Sequence, residues 1–180
     1  MADHSAPQPA PGPLNAQDVA ASWVVAVMED GDLRAAWPIT DPTLRLVLVQ
    51  DWVWSHRHHP DIGHDADWDG IARGLAACPP DHPLWDRFAT ELVELWQKIW
   101  KGFTTHRWIV WEEPEVLGLD LEMVSFIETE DDVAPSNLSR ATFARRFALR
   151  HTDDGWAVAG INGEQMFVPG WPPSLADQPL

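Results

Sequence analysis

The sequence predicts an α+β protein: N-terminal helices packed on a curved antiparallel sheet of three to five strands that arrives late in the chain. Three observations predict it. Between residues 107 and 168 the chain falls into runs rich in aromatic and branched side chains (108–111, 119–128, 141–152 and 156–161), each bounded by Pro, Gly, Asp or Asn. Thr152-Asp153-Asp154-Gly155-Trp156 is a hairpin signal, because Asp-Gly tolerates the positive φ of tight two-strand turns. Before residue 103, apolar residues instead recur at helical steps of three and four.

Taken in order, residues 1–14 are a Pro- and Ala-rich run of low hydrophobicity, expected as a disordered tail ahead of a single domain over 15–170 and a C-terminal tail over 171–180. Asn15 caps a first helix whose stripe is Val19, Trp23, Ala26 and Val27, and Gly31 stops it. A short helix over 32–37 is closed by Pro38. Thr40 or Asp41 caps a third helix over 43–55, with Pro42 in its first turn. That segment is apolar on nearly all sides, which calls for burial on more than one face, and its branched residues would also suit a strand. From 56 to 83 the pattern is irregular apart from a short helix over 68–77. Asp81-His82-Pro83 then caps a long amphipathic helix carrying Phe88, Leu92, Leu95, Trp96, Ile99 and Trp100, ended by Gly102.

A formal net charge of −16 excludes nucleic acid as a partner, since phosphate binding runs on Lys and Arg. No apolar run approaches the ~20 residues of a membrane-spanning helix, and the N-terminus lacks a secretory pattern, so a cytoplasmic protein is expected. The lone Cys78 makes neither an internal disulfide nor a thiolate metal cage. Twelve Trp and no Tyr mean large flat rings with one N–H donor each, and exclude any mechanism that needs a tyrosine hydroxyl.

The order of helices and strands, the segment Asp30-Gly31-Asp32-Leu33-Arg34-Ala35-Ala36-Trp37, the strand opening Asp154-Gly155-Trp156 and the closing Pro169-Gly170-Trp171-Pro172 resemble the nuclear transport factor 2-like superfamily, the cystatin-like α+β cone. The resemblance covers roughly residues 15–168. It implies a cone-shaped cavity roofed by helices. It leaves the chemistry open, because the group includes polyketide cyclases, isomerases, dehydratases, epoxide hydrolases and non-enzymatic binding or dimerisation modules.

Within such a cone, Trp23, Trp37, Trp52, Trp108, Phe143 and Phe147 are the side chains expected to line a pocket for a small apolar molecule. Asp51 sits in the most apolar helix, as a desolvated general base, as a helix-flank carboxylate, or in a salt bridge to an Arg such as Arg45 or Arg145. Strand alternation puts Arg145 beside Phe143 and Phe147, where it holds an anionic ligand, stacks on Trp, or pairs with Glu122 or Asp120. His106 stands at the strand entrance as a further oxyanion-stabilising candidate. The loop from His56 to Asp67 gathers His56, His58, His59 and His64 with Asp61, Asp65 and Asp67. Its alternatives are a solvated acidic loop, a metal site, or acid–base work by His56 or His59. No cofactor is expected. Three functions stay open: a module holding a small apolar ligand or a partner, an enzyme of cyclase, isomerase or hydrolase type, and a structural dimerisation protein. A homodimer through the outer sheet face is expected, where Trp and Val would otherwise be exposed.

Overall fold

Local capping explains where the helices begin in the computed structural model, which describes residues 14–63, 66–111, 113–129, 144–161 and 174–175. The expected tail up to residue 13, His64, Asp65, Phe143, the first residues of the 141–152 run and the 169–172 motif lie outside the described residues. The Asn15 side chain accepts from the Asp18 amide at 2.8 Å and the Asp18 carboxylate returns a contact to the Asn15 amide, a capping box that starts α1 (Ala16–Val24). A π-helical turn, Val25–Glu29, follows, and Gly31 at φ +69° ends it. Asp32 caps α2 (Leu33–Ala36) through the Ala35 amide. Pro38 lies inside a 3-10 turn (Trp37–Ile39) rather than after the helix, a place its fixed φ permits.

Asp41 caps α3 (Pro42–Ser55). Its Leu44, Val49, Trp52 and Val53 are buried, and the helix touches both α4 (Trp68–Ala76) and the last strand, as an element apolar all round requires. Helix α5 (Trp85–Ile99) buries Phe88, Leu92, Val93 and Trp96. The expected side-chain cap is not what starts it: Leu84 is the N-cap and has no side-chain cap bond, while in the turn just before the helix His82 Nδ1 accepts from the Leu84 amide at 3.2 Å.

The strands are β1 (Trp108–Val110), β2 (Glu115–Val116), β3 (Leu121–Glu128), β4 (Ala144–Thr152) and β5 (Gly155–Ile161). All pair antiparallel in the order β1-β3-β4-β5, with β2 beside β3 on the same edge as β1. The open sheet is extended past β5 by a parallel bridge from Thr40 to Val158. The β4–β5 turn is centred on Asp153-Asp154, and Gly155 takes the positive φ of +113° just after it. Strict alternation fails at one place. A register shift between Ala148 and Leu149 inserts Ala159, so Phe147, Leu149, Val158 and Ile161 all reach the helical side.

The helices lie on one face of this sheet. On the other, Met123, Ile127, Ala148 and Ala157 are buried in the single chain. Within the expected C-terminal tail, Leu175 is 1% exposed and joins the core; its amide and the Ser174 hydroxyl both donate to Asp69 on α4. No helix among the described residues is long and apolar enough to cross a membrane.

Candidate functional site

Trp23, with no exposed surface, meets Trp96 at 5.1 Å and Phe147 at 5.6 Å between ring centroids. Phe147 continues to Trp100, Phe103 and Phe126, and Phe103 to Trp108 at 5.0 Å, mostly edge to face. A second group joins Trp37 to Trp85 and Phe88, and Phe88 to Trp52. Several buried indole N–H groups find acceptors: Trp23 on Thr40 Oγ1, Trp37 on the Ala77 carbonyl, Trp52 on Glu91. Trp23, Trp37, Trp52, Trp108 and Phe147 thus all belong to the buried core between helices and sheet, and each of them touches at least one other aromatic ring.

Arg145 does lie on the helical side, over the rings of Trp100 (4.9 Å), Phe103 (5.4 Å) and Trp108 (5.4 Å). Register decides its acidic neighbour: Phe126 stands opposite Arg145 and Glu122 opposite Leu149, so the nearby carboxylate is Glu128, not Glu122 or Asp120. Glu128 is itself bound by Arg107 at 3.1 Å. Burial lowers the Arg145 pKa and the Glu128 charge partly restores it, while Nε is buried without a hydrogen-bond partner.

The other two acid–base candidates are elsewhere. Asp51 is exposed on α3, at the helix flank, and among the described residues makes no salt bridge to Arg45 or Arg145. His106 is exposed as well, beside Glu29. Two hydrogen bonds from Thr105, backbone amide first and hydroxyl second, hold the Glu29 carboxyl below its usual pKa. Asp51, His106 and Arg145 lie on three separate elements, with Asp51 and His106 at the surface.

The His-rich loop is organised by two residues that the sequence alone does not single out, Arg87 and Glu91. Glu91 accepts from Trp52 Nε1 (2.8 Å) and Arg87 Nε (2.8 Å) and lies 3.0 Å from His56 Nε2. Desolvation pushes its pKa up, but the hydrogen bonds from Arg87 and Trp52 and the charges of His56 and Arg87 outweigh it, and the carboxyl sits below its ordinary value. His56 stacks on Trp52 and places Nδ1 2.8 Å from the Trp52 carbonyl, so both ring nitrogens are committed and neither is left for a substrate proton. Arg87 also reaches Asp61 (3.0 Å) and His59 Nδ1 (3.1 Å), so its guanidinium stands between these two side chains of the loop. His58 is exposed. Among the described residues no three His, Cys, Asp or Glu side chains converge on a common point suited to a metal ion. The signal for Arg87 and Glu91 is their four-residue spacing beside Phe88 at the border of the apolar face.

Two shallow depressions follow α1. One, of about 570 Å³, runs from Leu14 past Ala21 to Asp30; the other, of about 410 Å³, lies between α1 and the β1 edge, with Val110 in its wall. Asp18 and Ala21 border both, so the two depressions adjoin along α1. Compared with known proteins, the chain matches no protein-family model and no curated protein.

Proposed function

We propose that the chain is a non-catalytic interaction module: its aromatic interior is structural, and it recognises a protein partner through its surface. The observation that carries this reading is the ring cluster around Phe147, whose members spend their faces and edges on one another. The placement of the acid–base candidates supports the same reading, because a general base needs a substrate-facing, desolvated position and Asp51 and His106 are exposed. Placing the chain among nuclear transport factor 2-like folds remains our reading of the element order, helices followed by an antiparallel sheet. The free, exposed Cys78 suits a reducing, cytoplasmic compartment.

Native mass spectrometry of freshly purified protein tests the reading. The expected spectrum is the bare polypeptide, without a small molecule of fixed mass. A stoichiometric adduct that survives desalting would overturn it in favour of a ligand-binding or enzymatic cavity.

A further inference from the structure

The groove along α1 owes its line to the π-helical turn. The Asp30 amide donates to the Val25 carbonyl at 2.9 Å, five residues back, which sets Asp30 one turn beyond Val25 on the stripe that already holds Leu14, Asp18 and Ala21. Glu29 is turned away and held by Thr105. The floor is therefore apolar or small (Leu14, Ala21, Val25, Ala26), while a carboxylate stands near each end. Asp18 and Asp30 are exposed, and Leu14 is 51% exposed. Twelve residues at 1.5 Å each separate the two carboxylates by roughly 18 Å, about three turns of a facing helix.

We propose that this groove docks a cationic amphipathic helix of a partner protein, its apolar stripe on Ala21, Val25 and Val110 and its Lys or Arg side chains on Asp18 and Asp30. Charge selects the occupant. A second copy of a chain with net charge −16 is repelled, and so are nucleic acid and anionic lipid, whereas a basic segment is drawn in. This inference rests on the interaction-module reading and names the partner class for it.

The test is fluorescence anisotropy of the full chain with a labelled Leu/Lys amphipathic peptide of about 18 residues, long enough to span the groove, at about 0.15 M salt, where screening beyond ~8 Å suppresses diffuse attraction. A Leu/Glu peptide of the same pattern is the charge control. Ser22→Lys/Asp30→Lys places positive charge in the groove at two exposed positions. Asp153→Lys/Asp154→Lys alters charge in the β4–β5 turn instead. Binding of the Leu/Lys peptide is expected to weaken roughly tenfold in the groove variant and less than about threefold in the turn variant, consistent with partly exposed ion pairs. Circular dichroism melts confirm that both variants fold. Equal weakening in the two variants, or no binding of the Leu/Lys peptide at all, overturns the groove. These outcomes leave the interaction-module reading standing as long as the native mass is that of the bare chain; a bound small molecule in that spectrum removes the reading itself.

Discussion

At the scale of the residue, Glu91 shows how one carboxylate near the surface ties together two helices and a loop. Two donors, Trp52 from α3 and Arg87 from its own helix, converge on a carboxylate that is about one third exposed, and the His56 ring stands 3.0 Å from it. Its carboxyl titrates below its ordinary value, the unfolded reference being about 4.3. A folded-state pKa depressed in this way contributes stability that is complete above the unfolded value and is lost as pH falls through the folded one. Glu91→Gln is therefore expected to cost about 1 kcal/mol near neutral pH, a figure held down by partial solvent exposure. The difference from the parent protein should shrink below about pH 4. Urea denaturation of both proteins at pH 7 and pH 3 reads it; a difference that widened in acid would contradict the network. Arg145 is the opposite case, a cation stabilised by aromatic faces with no ion pair among the described residues. Its inward direction was legible from strand alternation. Its carboxylate neighbour was not, since that depends on a cross-strand register no single strand encodes.

At the scale of the element, Asp41 joins three parts of the fold. It caps α3 through the Thr43 amide, its own amide donates to the Val158 carbonyl of β5 at 2.8 Å, and its carboxylate receives Arg150 of β4 at 2.8 Å while only 3% of the residue is exposed. Asp41→Ala removes the cap and the ion-pair partner together, and is expected to cost about 3 kcal/mol. Asp41→Asn keeps the capping oxygen and should lose roughly half as much. Chemical denaturation checks this; a loss under about 1 kcal/mol for Asp41→Ala would mean that Arg150 finds full compensation elsewhere. The cap was readable in advance to within Thr40 or Asp41, and the five helices were readable too, because Asn, Asp, Pro and Gly act locally and apolar periodicity spans whole elements. Pro42 after Asp41 also settles α3 as a helix despite its branched residues. Two features escaped for the complementary reason. β2 has only two residues between Pro114 and Gly118, too few for any period to register, and the bulge at Ala159 is fixed by β4 rather than by its own sequence.

At the scale of the whole molecule, the question is whether twelve Trp make a container or a filled core. Composition cannot decide it, since the same indoles line a cavity when they stand apart and abolish it when they interlock. Centroid separations of 5–6 Å among Trp23, Trp96, Trp100, Phe103, Phe126 and Phe147 put these rings in contact with one another, which is the arrangement our interlocked reading rests on. Phe147, fully buried at the crossing of these contacts, is the side chain on which the difference can be measured. In a filled core Phe147→Ala opens a void and costs about 3–5 kcal/mol. An apolar void of that kind takes up benzene, as apolar engineered cavities do. Benzene should then raise the melting temperature of the variant in a saturable way and leave the parent protein unmoved. Phe147→Leu, nearer in volume, should lose less stability and show little benzene effect, which keeps the comparison usable if the alanine variant folds poorly. The contrary pattern, a parent protein that already responds to benzene and an alanine variant costing less than about 1.5 kcal/mol, would mean that the hollow exists in the native chain. Recognition would then have to be sought inside the fold rather than along α1.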